Sequence, residues 1–393
     1  MRVKEIIYTI FRVAQREMKI MYYKPLYFYS TIIVFFVSCI FFLSLLHEGA
    51  AEDMPIAIVD LDQSSISRRL VHELNSTQGV QCDFRCATFE EARIAMQQGE
   101  VYAILVVPKH FYSDMLDFKR PTLTFYTNMA YTLAGTTAYK QLMMFANMVP
   151  AAFQREVLRK KGLPDHLIMQ RIQPIAIDAH LLSNPTSNYA VYLCSVLLPG
   201  ILGLIVLIIT VYTLGMELKW KTSRELMAEA QGNVILAFAG KFLPHTILYC
   251  MMGITLNILL FRILHFPMLG NLWTLNLAIV LLVLAMQAMG IVIVGLLPVL
   301  RDALSIGALY GMLGFSCSGF TFPVTGMLPV FRGFVNIFPL RHYFRVYTNE
   351  AMMGNPFIDS LPALIYLYLF LILPLTVAIR LRNAFINQNY PLK

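Results

Sequence analysis

Six stretches of the chain run free of Asp, Glu, Lys and Arg for long enough to read as membrane spans: residues 26–46, 189–216, 242–261, 272–300, 303–331 and 363–379. A helix needs about 20 predominantly apolar residues to cross about 30 Å of hydrocarbon, and no soluble core demands such runs six times over. The fifth stretch exceeds one crossing and holds Pro323 and Pro329, so it is predicted as a span followed by a broken helix that re-enters. The sixth is short and is expected to kink at Pro374.

Two further segments carry patterns of their own. In residues 1–25 the apolar Val3, Ile6, Ile7, Ile10, Ala14, Met18 and Met21 recur at helical spacing, while Glu5, Arg12, Arg16 and Lys19 fall on the opposite stripe. Such a helix lies in the headgroup plane until the chain turns at Pro25. Residues 47–188 are an island of charge that reads as a folded domain with alternating strand and helix signals. Strands are predicted over 55–60, 80–84, 101–107 and 123–126, with helices over 64–74 and 88–98. A long or kinked helix over 131–161 follows, then a return through 164–185. The expected fold class is therefore a polytopic α-helical membrane protein. It has six transmembrane helices, an N-terminal interfacial helix and a mixed α/β extracytoplasmic domain.

Composition agrees. Of 393 residues 58% are apolar and 14% charged, against about a quarter charged in soluble domains. The net charge of +8, from 31 basic and 23 acidic residues, admits nucleic acid, anionic lipid or a topology signal until it is mapped. Lys and Arg in short flanks are retained on the cytoplasmic side. Arg2, Lys4, Arg12, Arg16, Lys19 and Lys24 put the N-terminus inside, and six spans return the tail 380–393, with Arg380, Arg382 and Lys393, to the same side. The formal excess then falls on the inner segments, 1–25, 217–241 and 380–393, and the outer loop 332–362 adds little. It serves as the orientation signal, and no nucleic-acid partner is expected. Ala50 and Ala51 faintly resemble a cleavage site, but the charged leader and apolar stretch are too long for a signal peptide.

The six cysteines show no CxxC or Cys/His spacing, so no metal site is expected. Cys82 and Cys86 would lie about 13 Å apart on a straight strand, too far for a disulfide, though a loop would permit one. Asp60 and Asp62 read as polar caps at a strand end rather than as a cation site. No GxxxxGK[ST] loop occurs, so the chain has no P-loop of its own. Within the spans His245, Asn257, Gln287, Ser316, Cys317 and Ser318 form no recognisable catalytic constellation and read as interhelical hydrogen-bonding groups. No catalytic residue and no cofactor is assigned, and the protein is not expected to be an enzyme. The connector 217–241 contains Thr222 to Glu229, a short amphipathic sequence with capping potential between Thr222 and Glu225. Leu226 and Met227 are its candidate anchors for a partner's groove.

On three stretches the chain resembles the transmembrane subunits of ABC-2 type exporters. Glu217 with Lys221-Thr222 and Arg224-Glu225-Leu226, followed by Gly240-Lys241-Phe242-Leu243-Pro244, is similar to that family's E…GT…L coupling helix and GK-x-L-P sequence. Lys221 stands where a glycine is common, and Ala228-Glu229-Ala230 replaces a frequent Thr-Pro. Ser318-Gly319-Phe320-Thr321-Phe322-Pro323, with Met327, Pro329 and Phe338-Pro339-Leu340, resembles its re-entrant outer segment. Ile56 to Asp62 with Ser65, Ser67 and Arg68 resembles the start of the large external domain in one bacterial branch. The resemblance implies a permease of the bacterial inner membrane that pairs with a second copy or a sister permease. It binds a separate cytoplasmic ATPase, which holds the ATP, and expels a hydrophobic or amphipathic substrate drawn from cytoplasm or membrane lipid. Glu217, Lys221, Thr222, Arg224, Glu225 and Leu226 would contact the ATPase, and Phe320, Phe322, Pro323 and Met327 would shape an outer gate. The external domain would meet a periplasmic adaptor. The alternative is a non-transporting receptor or scaffold on the same fold.

Overall fold

The computed structural model describes residues 3–388 apart from 48, 50, 51, 78, 118, 161, 173–182, 186 and 187. Ala50, Ala51, Arg2, Lys393 and residues 173–182 of the return segment thus lie outside the described residues. Met1–His47 with Leu181–Lys393 form one compact unit, and Glu48–His180 a second.

The chain opens with α1 (Val3–Tyr23) and α2 (Pro25–Leu45), whose first residue is a proline, as suits a helix start. The second unit then runs β1 (Met54–Asp60), α3 (Ser65–Asn75), β2 (Val80–Arg85), α4 (Phe89–Gln98), β3 (Ala103–Val107), α5 (Phe111–Leu116), β4 (Thr124–Thr127), α6 (Thr132–Lys160) and α7 (Asp165–Ile172). Its sheet has the order β2-β1-β3-β4, parallel except at β4. Alternate residues of β1 enter different cores, Ile56 and Ile58 with Leu70, Leu74 and Leu142 of α3 and α6, Ala57 and Val59 with Ala92 and Ala95 of α4. A sheet covered on both faces explains why this strand is apolar without alternation. Hydroxyls start both crossover helices: the Ser64 side chain accepts from Ser67 N and that of Thr88 from Glu91 N. Asp60 ends β1 by accepting from the backbone N–H of Asp62 and Gln63 and from the Ser67 hydroxyl, at 3.1, 3.0 and 2.7 Å, the capping role read from the sequence. Cys82, on β2, and Cys86, just past it, are both free thiols, and burial pushes the Cys82 thiol up to about 12.

The first unit resumes with α8 (Tyr189–Lys219), α9 (Ser223–Glu229), α10 (Val234–Ile258, extended by a π turn to Ile263), α11 (Leu272–Leu296), α12 (Leu300–Ser316), α13 (Pro329–Phe334), α14 (Pro339–Tyr347), α15 (Phe357–Phe370) and α16 (Pro374–Asn387). Four helices, rather than the six expected, are long and apolar enough to cross a membrane among the described residues: Tyr189–Lys219, Val234–Ile263, Leu272–Leu296 and Phe357–Asn387. The two that fall short have distinct reasons. In α2 the described apolar helix covers only Thr31–Leu45. Residues 303–331 do not continue as one helix: α12 has 17 residues, about 25 Å, and ends before Gly319, whose φ of +88° belongs to the left-handed region. Beyond it, Pro323 and Pro329 leave only a 3-10 turn and the six residues of α13. The loop expected over 332–362 is itself largely helical, in α14 and the start of α15.

Three of the qualifying helices outrun their expected limits, while Leu272–Leu296 stops short of residue 300. The span expected at 242–261 begins at Val234, where Asn233 accepts from Ile235 N and Leu236 N, and so takes in Lys241. The one expected to stop at residue 216 continues through Glu217. Both ionic side chains are buried, so a rule that ends spans at charges ended these too early.

Candidate functional site

The amphipathic α1 buries Thr9, Val13, Ala14, Glu17 and Met21 and packs on α10. The approach is close because Gly240 faces it: a Cβ there would lie 2.6 Å from Val13 Cβ and 2.8 Å from the carbonyl oxygen of Ile10. This seat carries Arg16 and Glu17 to the first turns of α10 and the last turn of α8.

There a cluster of charges closes on itself. Lys241 Nζ donates to Glu17 Oε2 at 2.7 Å and to Glu217 Oε1 at 2.9 Å. Arg16 grips Glu217 with both terminal nitrogens, at 2.8 and 3.3 Å. His245, one turn beyond Lys241, sets Nε2 3.1 Å from Glu17 Oε1, and the Thr222 hydroxyl donates to Glu217 Oε2. Two cations thus face two carboxylates, and Glu17, Glu217, Lys241 and His245 are all buried. Burial opposes the charge on Glu17, but Lys241 and then His245 outweigh it, so its carboxyl is held below the usual range. Burial likewise opposes the charge on Arg16, and Glu217 more than offsets it. Each ion depends on its partners, because an uncompensated buried charge costs several kcal/mol (about 3–5). The cluster therefore ties α1, α8, α10 and the turn before α9 into one rigid body.

That turn passes through Lys221 at φ +61°, a left-handed conformation that glycine adopts without strain, which accounts for the glycine common at this position in the resembling pattern. Thr222 does not form the expected capping box: its hydroxyl goes to Glu217 and makes no cap bond to α9. Leu226 and Met227, expected as anchors for a partner, are buried in the chain's own core. Outward on and beside α9 stand Lys221, Arg224, Glu225 and Ala228. The short helix is also tied to the end of α16. Ser223 Oγ donates to Phe385 O at 2.9 Å, Arg224 Nε to Ile386 O at 3.0 Å, and Gln388 Nε2 to Lys221 O at 2.7 Å. The N-terminal helix, the 217–241 connector and the end of the last helix thus share one end of the first unit.

At the opposite end Phe320 packs among aromatic rings, with centroids 4.9 Å from Tyr192, 5.9 Å from Phe344 and 6.1 Å from Tyr347. Phe322 and Pro323 are exposed and Met327 is half-buried. Arg332 holds this loop in shape by donating to the carbonyls of Met327 and Thr325 at 3.0 and 2.8 Å. Of the polar groups inside the spans, Asn257 donates to Asn276 at 2.9 Å and Gln287 accepts from Thr246 at 2.7 Å, which is helix-to-helix pairing.

Sequence reasoning placed Glu217 and Thr222 at the site but missed the roles of Arg16, Glu17, Lys241 and His245. A signal existed: Lys241 and His245 lie one turn apart on the same helix face in an otherwise apolar run, and ionisable groups at membrane depth require partners. The model of the family described as ABC-2 family transporter protein matches residues 25–380. No protein of curated function matches the chain.

Proposed function

The chain belongs to the ABC-2 family of transporter proteins, and on that premise we propose that it is the permease subunit of an ATP-driven exporter. It moves a hydrophobic or amphipathic substrate outward from the cytoplasm or inner leaflet. A separate cytoplasmic ATPase supplies the energy, and a second copy or a sister permease completes the pathway. The protein sits in a bacterial inner membrane with both termini cytoplasmic and the 47–188 domain outside, where a periplasmic adaptor docks. In this reading α2, whose 21 residues measure about 31 Å, and α12 with its broken continuation supply the fifth and sixth crossings.

One observation carries the mechanism: the buried cluster of Arg16, Glu17, Glu217, Lys241 and His245 joins α1 to two spans directly beside α9. The ATPase bears on the outward side chains Lys221, Arg224 and Glu225. Glu217, Thr222 and Leu226 lie behind them and pass the load inward. Movement of α9 then shifts α1, α8 and α10 together, because separating them would strand a buried charge. Phe320 in its aromatic nest, with Phe322, Pro323 and Met327 beside it, forms the outer gate that this motion opens.

Purification of the full chain in mild detergent followed by mass spectrometry is expected to recover a P-loop ATPase without spans of its own. The double variant R224A/E225A should lower that recovery about tenfold, corresponding to about 1.4 kcal/mol, while the loss of the exposed Arg224–Ile386 bond costs stability only about 1 kcal/mol. Absence of any ATPase would replace transport with the receptor reading.

A further inference from the structure

A cavity of about 1300 Å³ opens in the first unit between α1, the inner half of α8, α9 and the start of α12. Its walls differ in chemistry. On one side Arg12 and Lys19 of α1, with Lys24 just past its end, line the opening. All three are exposed, and among the described residues none has an ion-pair partner. On the other side stand Ile209 and Met216 of α8 and Leu304 of α12. Of the acidic groups of the lining, Glu17 and Glu217 are engaged in the buried pairs, Glu225 lies 3.9 Å from Arg16, and Glu229 keeps one buried carboxylate oxygen with no hydrogen-bond partner among the described residues. Arg12, Arg16, Lys19, Lys24 and Lys241 together outnumber the four carboxylates by one, so the lining is positive by one formal charge, and its unpaired cations stand at the mouth.

Size and depth narrow the occupant. Pockets for small molecules hold about 300–1,000 Å³, and this one is larger. Its lining on α8 runs from Ile208 to Trp220, about 18 Å of helix, or roughly one leaflet of a 30 Å hydrocarbon core. A free anion would leave the apolar wall uncovered, and an uncharged apolar molecule would leave three cations unmet. We propose that the cavity binds a phosphate-bearing anionic amphiphile of the inner leaflet. Its headgroup lies between Arg12, Lys19 and Lys24, and its chains lie along Ile209, Met216 and Leu304. The inference rests on the orientation proposed above and names the substrate class the permease draws from the membrane. Its test requires binding alone, so it can fail while ATPase recovery succeeds, and the reverse.

The full chain, purified in mild detergent, is titrated with three probes and read by native mass spectrometry. The probes are phosphatidylglycerol, phosphatidylcholine with the same chains, and glycerol 3-phosphate. Phosphatidylglycerol is expected to be retained about tenfold over phosphatidylcholine, with no retention of glycerol 3-phosphate. The variant R12Q/K19Q/K24Q should bring the two lipids level. The variant K4Q/R380Q/R382Q removes the same charge from exposed sites outside the cavity and should keep the preference. Filling the apolar wall with L304W should lower occupancy by both lipids. If the triple variant proves unstable in melting curves, K19Q alone should reduce the preference about threefold. The proposal is overturned if both triple variants lose the preference equally, which would mean diffuse surface attraction. It is also overturned if glycerol 3-phosphate binds as well as the lipid, or if the purified chain is a dimer that excludes lipid from this cavity.

Discussion

Replacing Lys241 with methionine is expected to abolish export and to destabilise the protein by about 3–5 kcal/mol, the cost typical of stripping one partner from a buried ionic group. Glu17 would keep only His245, and Glu217 only Arg16 and Thr222, although both carboxylates are buried. Methionine fills much of the same volume, so the loss reports charge rather than a void. Adding Glu17→Gln to Lys241→Met removes the stranded carboxylate and should restore most of the melting temperature without restoring export. That split is the informative part, since a purely structural cluster would recover both together. The measurement is thermal melting of the full chain beside substrate efflux from cells carrying each variant.

Gly240→Ala should be nearly as damaging, although the change is one methyl group. The added Cβ meets Val13 Cβ at 2.6 Å and the Ile10 carbonyl oxygen at 2.8 Å, and a backbone oxygen within a helix cannot rotate aside. Overpacking of this kind costs about 1–3 kcal/mol. The strain is relieved by lifting α1 from α10, which draws Glu17 away from Lys241. Efflux is expected to fall about tenfold or more, in step with the 1.4 kcal/mol that tenfold represents. Gly333→Ala is the matched control: nothing lies within 4 Å of its added carbon, and its effect should stay within about 0.5 kcal/mol. Equal loss in both variants would remove the α1–α10 contact from the coupling path.

How far the fold could be read from the chain depended on whether local pattern and tertiary context agreed. In the second unit they did: Ser64 and Thr88 sit where caps belong, and the apolar strand at 54–60 matches a sheet buried on both faces. Within the membrane unit the rule that charges end spans failed at Glu217 and Lys241, because ions separated by 24 positions in sequence neutralise each other inside the fold. Local pattern shows that Lys241, one turn from His245 in an apolar run, needs a partner, but not that Glu217 and Glu17 supply it. Leu226 and Met227 misled for a related reason: amphipathicity shows that a helix face will be covered, but not whether the cover is a partner or the same chain. The proline-broken stretch after α12 was legible as an interruption, since Pro323 and Pro329 act through backbone geometry that no partner overrides.

The coupling role of α9 can be tested by placing a photoreactive benzoylphenylalanine at Arg224 or Glu225 in the full chain and irradiating intact membranes. Trp273, 81% exposed at the opposite end of the spans, is the control position. A covalent adduct to a P-loop ATPase is expected from position 224 or 225 and none from 273. An ATPase adduct from 273, or none from either α9 position in membranes that still export, would contradict the proposal that ATP hydrolysis reaches the spans through α9 and the charge cluster behind it.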